Sequence, residues 1–105
     1  MNNDNAIKNV DVKAYMKANN IEKPRELKKI YAVKDTDMGF LDVYSVVNDV
    51  IAIRNFGMQA KENKQLSAFA EKFELYKLGE LDVYSGEFIS DIRKLATATD
   101  FRDLA

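Results

Sequence analysis

The stretch that decides the fold is Tyr31–Phe56, YAVKDTDMGFLDVYSVVNDVIAIRNF. It reads as strand, tight turn, strand and helix. Tyr31-Ala32-Val33 is apolar and partly β-branched, which suits a strand. Asp35-Thr36-Asp37-Met38-Gly39 carries turn chemistry: two Asp that can bond nearby backbone, and a Gly free to take positive φ. From Phe40 to Tyr44 the chain alternates, with Leu41 and Val43 expected on one face and Phe40, Asp42 and Tyr44 on the other. Ser45 and Asn48 are both possible helix caps. Beyond them Ile53, Phe56, Gly57 and Ala60 follow the i, i+3, i+4, i+7 spacing of one apolar helix face.

Downstream, Leu66, Phe69, Ala70 and Phe73 repeat that spacing. They predict a short helix capped by Ser67 that packs Phe69 onto the sheet. Phe73–Leu81 then switches to period two, with Phe73 and Leu75 on one face and Tyr76 and Leu78 on the other. Val83-Tyr84-Ser85-Gly86 turns the chain, and Glu87-Phe88-Ile89 is the expected returning strand. Ser90 or Asp91 would cap a last short helix through Ile92 and Leu95, and Phe101 and Leu104 are apolar enough to dock. Leu-Asp-Val-Tyr-Ser occurs at 41–45 and again at 81–85, but the flanks diverge and no repeat architecture follows.

Upstream, Asp11 can cap a short helix with Val12, Tyr15 and Met16 on one face, ended by Asn19-Asn20. Ile21–Lys29 holds the only proline, Pro24, and the basic residues Lys23, Arg25, Lys28 and Lys29. It reads as a phosphate-contacting edge or as a solvated connector anchored by Ile21 and Leu27. The expected division is a basic, helical N-terminal extension over 1–29, a core domain over 30–95 and a tail over 96–105. The fold class is α+β: a small antiparallel sheet from about 30–34, 40–44, 73–81 and 87–89. The helix at about 47–61 packs on one face, and an N-terminal helix is added.

A chain of 105 residues fits one domain with a modest core. With 47% hydrophobic and 31% charged residues it is globular rather than disordered. No run is long and apolar enough to cross a bilayer, and no apolar signal core opens the sequence, so the expected location is cytoplasmic, with no membrane partner. The net charge of −1 hides an asymmetry: residues 1–34 sum to +4 and residues 35–105 to −5. Such a split fits a basic face for an anionic partner, or two ends of one domain attracting each other.

No His and no Cys occur, which removes the commonest general base, the commonest metal ligand and the strongest neutral-pH nucleophile. Asp35, Asp37, Asp42 and Asp49 cluster in sequence. Asp35 and Asp37 fit the turn, however, and Asp49 fits a helix first turn, where negative charge is favourable. The four Gly are isolated, with no phosphate-binding loop. The expectation is a non-enzyme with no catalytic residue, metal site or cofactor.

Binding remains. Tyr31 with Lys29 and Lys34, and Tyr76 with Lys77, pair an aromatic ring with neighbouring basic residues. Strand-borne aromatics can stack unpaired bases while Lys or Arg meets phosphate. If Ile30, Phe73 and Leu75 face the core, both Tyr lie on the open face of the sheet; otherwise they are rim residues of the core. Arg54 is expected at the border of the buried helix face, as an ion-pair partner of Asp49 or Asp91 or as a phosphate contact.

Four segments together resemble the small non-structural protein of gokushovirus-type microviruses, a group of single-stranded DNA phages. They are Tyr31–Asp35, Gly39-Phe40, Val47–Phe56 in the form VNDxxAxRNF, and Phe73–Gly86 in the form FELYxLGxxDxxSG. The likeness covers roughly residues 30 to 90. The chain departs from that pattern in lacking a Pro after the first turn and another before the closing strand, and its first 28 or so residues have no counterpart there. The resemblance implies a phage protein of the infected host cytoplasm, absent from the particle and acting in genome replication. It implies single-stranded DNA as partner, bound without sequence preference. The expected contacts are Lys23, Arg25, Lys28, Lys29, Tyr31, Lys34, Arg54, Tyr76 and Lys77. The alternative is a protein-interaction module without nucleic-acid binding: a host-factor adaptor or inhibitor, or an assembly scaffold. A host or phage replication protein is then the partner, and the net −5 over residues 35–105 favours that reading. Two open sheet edges would also permit a homo-oligomer.

Overall fold

The computed structural model describes residues 12, 14 and 26–101. Strand β1 (Leu27–Asp35) and strand β2 (Gly39–Ser45) form the first hairpin. Helix α1 (Asp49–Glu62) and a short helix α2 (Lys64–Ala68) lead through a 3₁₀ turn at Ala70–Lys72 into strand β3 (Phe73–Asp82). Strand β4 (Phe88–Thr97) and a 3₁₀ turn at Ala98–Phe101 follow. The sheet order is β2-β1-β3-β4, antiparallel throughout. The α+β class with one main helix on one face is as the patterning predicts. Of the N-terminal segment, Val12 and Ala14 are helical and exposed; the rest of that expected helix, with Lys23 and Arg25, lies outside the described residues.

Local chemistry explains the boundaries. The Asp35 carboxylate accepts from the Asp37 amide at 2.9 Å, which folds the β1–β2 turn. Asn48, not Ser45, caps α1: its side-chain oxygen accepts from the Ile51 amide at 2.9 Å. Asn63 ends α1 and also caps α2, accepting from the Gln65 and Leu66 amides, so the expected Ser67 cap is displaced. Phe69 is 55% exposed and does not pack onto the sheet.

The core lies between α1 and the sheet. Ala52, Phe56 and Ala60 of α1 meet Tyr31, Phe73, Leu75 and Ala96. Small residues flanking Phe56 let the helix approach closely while one ring fills the interior. The expected last helix is instead β4, and the core runs past residue 95. Ala98 is buried, and Phe101 meets Phe56 edge-on at 5.9 Å. Residues 88–97 take the strand because they can complete a hairpin with β3, which an isolated one-turn helix cannot match. The two Leu-Asp-Val-Tyr-Ser copies diverge in structure: the first stays within β2, while the second leaves β3 and turns, the Asp82 carboxylate accepting from the Tyr84 amide at 3.0 Å.

Tyr31 decides between the two phases left open for β1, against the open face on which it was expected to contact DNA. It is fully buried on the helix side, opposite Tyr44, and its hydroxyl donates to the Asp49 carboxylate at 2.5 Å. Burial and then this hydrogen bond hold its pKa well above the ordinary value near 10, and burial raises Tyr44 as well. The folded state therefore keeps the Tyr31 proton more tightly than the unfolded chain does. That contribution is complete below about pH 10 and is lost as pH climbs toward the folded value. Urea midpoints should stay level through pH 9 and fall above about pH 10. Tyr31→Phe should lose about 1–2 kcal/mol at neutral pH, and its alkaline decline should be shallower than that of the wild type.

Candidate nucleic-acid interface

Among the described residues, helix α1 covers one face of the sheet and nothing packs over the other. Strand β1 alternates regularly, so Lys28, Ile30, Ala32 and Lys34 share the open face. Register then brings their neighbours onto it. Lys34 stands opposite Phe40 on β2 and Glu74 on β3, and Ala32 opposite Val43 and Tyr76. Tyr76 in turn stands opposite Lys94 on β4. A bulge in β2 opposite Val33 breaks the expected alternation, putting Phe40 and Val43 together on this face. Leu41 instead lines a groove with Gln59 and Leu66 on the helix side.

Phe40, Lys34, Tyr76 and Lys94 thus form a row across all four strands, about 14 Å long at the usual strand spacing. The Phe40 and Tyr76 rings meet edge-on, with centroids 5.3 Å apart and an interplanar angle of 88°. The Lys34 ammonium lies 5.4 Å from the Phe40 centroid and 5.6 Å from that of Tyr76, a shared cation–π contact. Ala32, opposite Tyr76 in the register, is fully buried. Lys94 binds Glu74 at 2.9 Å, and this hydrogen bond holds the Lys94 pKa above its ordinary value. Val43 and Ile92 flank the row, 59% and 63% exposed. Among the described strand residues this face carries three Lys (28, 34 and 94) and one carboxylate, Glu74. Phe40 is exposed and Tyr76 half-buried, and surface rings beside local positive charge can stack bases while the charges meet phosphates.

The expected site residues divide. Lys34 and Tyr76 come together on the open face, with Tyr76 placed as the alternation of β3 predicts; Lys28 shares that face but stands opposite Leu81, six residues along β1 from Lys34. Tyr31 does not: its buried ring cannot stack a base. Lys77 is 3% exposed on the helix side, bonded to Glu80 at 3.3 Å and 3.9 Å from Asp91, so it cannot serve as a phosphate contact there. Lys29 alternates onto the helix side, opposite Glu80. Arg54 is exposed on α1, away from the open face, and Asp49 and Asp91 bond Tyr31, Lys77 and Arg93 instead. Phe40 and Lys94 were missed: the β2 bulge hides the first, and the second lay inside an expected helix.

A family model described as Phage ORF5 protein matches residues 28–101. The chain belongs to this family. As a Phage ORF5 family member it is a phage protein, and the match runs from Lys28 in β1 through β2, α1, α2, β3 and β4. No curated protein and no solved structure matches the chain. Among the described residues no group of three or more potential ligands could hold a metal ion, and no helix is long and apolar enough to cross a membrane.

Proposed function

We propose that this Phage ORF5 family protein is the non-structural protein of a gokushovirus-type microvirus. In this reading it binds single-stranded DNA without sequence preference during genome replication in the host cytoplasm. The observation that carries the reading is the open-face row, in which Phe40 and Tyr76 bracket Lys34 beside Lys94, with Lys28 farther along β1 on the same face. A duplex keeps its bases stacked and hidden, whereas a single strand can lay them on the rings. With about three phosphate contacts, log affinity should fall by roughly two units per tenfold rise in salt. Fluorescence anisotropy with labelled single- and double-stranded oligonucleotides across a salt series tests this. Phe40→Ala with Tyr76→Ala should weaken single-strand binding about tenfold or more. Lys28→Glu with Lys34→Glu should weaken it far more than Lys61→Glu with Lys64→Glu, whose sites lie on the helix side. No salt-dependent signal at tens of micromolar protein in low salt would refute direct DNA binding.

One observation favours the protein-interaction reading. The outer side of α1 and its lead-in exposes Val47, Val50 and Met58 around Arg54. Such an apolar stripe with a central cation suits a protein partner, a host-factor adaptor role included. Bulges in both edge strands oppose growth of the sheet from edge to edge, so a homo-oligomer would use another surface. A replication protein retained by the chain after nuclease treatment, together with absent DNA binding, would put this reading first.

A further inference from the structure

The open face holds a carboxylate where a DNA-binding surface gains nothing from one. Glu74 stands in the row between Lys34 and Lys94, opposite Lys34 on β1. Its carboxylate accepts from the Lys94 ammonium at 2.9 Å, and the Tyr76 hydroxyl lies 3.5 Å from its other oxygen. The Glu74 side chain is 17% exposed and that of Lys94 47%, so the pair sits at the surface with its acidic member the better covered. Glu74 thus occupies two groups that an incoming strand would use: the cation of Lys94 and the edge of the Tyr76 ring.

We propose that Glu74 is an intramolecular competitor for the DNA phosphate, which keeps the open face weak and readily released. The inference rests on the single-stranded DNA reading of that face. A phosphate reaching Lys94 must displace the carboxylate or share the ammonium with it. Displacement breaks a charge-assisted hydrogen bond, and sharing leaves two anions side by side. Either route lowers the affinity the three Lys would otherwise give. No local structural role demands an acid here. Glu74 caps no helix and folds no turn, and a glutamine at this position could still accept from Lys94 through its carbonyl oxygen while its NH2 donates to the Tyr76 hydroxyl oxygen. A protein that must coat a strand and leave it during replication is served by such a restraint.

Glu74→Gln removes the charge and keeps the shape. Single-stranded oligonucleotide binding should tighten about three- to tenfold in low salt. The salt slope should steepen by about 0.7 log units per tenfold salt, the increment of one more phosphate contact. Glu62→Gln makes the same change in net charge at the end of α1, behind the sheet, and should stay within about twofold of the wild type. In a Lys94→Gln background, Glu74→Gln should gain less than about twofold, because the cation it restrains is gone. Urea midpoints unchanged from the parent in each variant show that the fold persists. Wild-type binding that Glu74→Gln leaves unchanged in affinity and slope would overturn this inference alone, as would an equal gain from Glu62→Gln. Absence of binding by every variant would overturn the DNA reading, and this inference with it.

Discussion

Phe56→Ala is expected to destabilise the domain by about 3–5 kcal/mol, the range for emptying a buried aromatic site. Among the described residues Phe56 is one of the largest fully buried side chains, with Tyr31 and Leu75. It packs edge-on against Phe101 and lies in the same cluster as Phe73 and Ala96. Its helix neighbours on the buried face are Ala52 and Ala60, too small to fill the space it would leave. The sheet beneath is held by its ladder and cannot sink into the gap, so most of the cavity would persist. A domain of this size has roughly 5–10 kcal/mol of total stability. The variant would therefore lose a third or more of it, and the C-terminal turn would lose its anchor at Phe101. Urea unfolding at neutral pH should show a lowered midpoint with an unchanged slope. Phe69→Ala is the matched control, since Phe69 is 55% exposed, and it should cost under about 1 kcal/mol. Equal losses from the two would mean that the core is not centred on α1.

Much of this arrangement was legible in the sequence, and the failures share a cause. The Asp35–Gly39 turn, the α1 stripe and the Phe73/Leu75 alternation each depend on neighbours a few residues apart, and each is found. What depends on register was not legible. In Ile30-Tyr31-Ala32-Val33 all four residues are apolar, so the period of two is plain but its phase is not. Tyr31 faces the helix because its hydroxyl finds Asp49, a partner 18 residues away. Bulges did the rest. One in β2 moved Phe40 and Val43 to a common face, and irregular pairing along β4 spoiled its alternation. In β4, Ile89, Ile92 and Leu95 fall every third residue, which mimics a helix. Composition along the chain misled in the same way: the half carrying net −5 includes Lys94 and Tyr76, which the fold sets beside Lys34 from the basic half. The candidate site is a property of strand order, and short-range pattern carries no strand order.

Gly79→Ala should be the most damaging one-carbon change in the sheet, costing about 3 kcal/mol or more. Gly79 sits in the interior strand β3, opposite Ile30 on β1 and Ser90 on β4. A Cβ there would lie 2.2 Å from the Ile89 carbonyl oxygen and 2.7 Å from the Phe88 ring. The ring could swing aside, since Phe88 is 47% exposed, but the carbonyl belongs to the paired backbone of β4. Relief therefore requires the hairpin to part at its bulge. Gly57→Ala gives the contrast. The three atoms nearest its Cβ would all belong to the Phe101 ring, the closest at 2.7 Å, a side chain able to move with the C-terminal turn. The thermal midpoint of Gly79→Ala should fall by about 12 °C or more, and that of Gly57→Ala by clearly less. Because β4 carries Lys94 into the open-face row, a surviving fraction of folded Gly79→Ala should also show weakened single-strand binding. A Gly79→Ala midpoint within about 2 °C of the wild type would mean that β4 meets β3 in a different register. Lys94 would then no longer stand opposite Tyr76, and the row across the four strands would lose its fourth member.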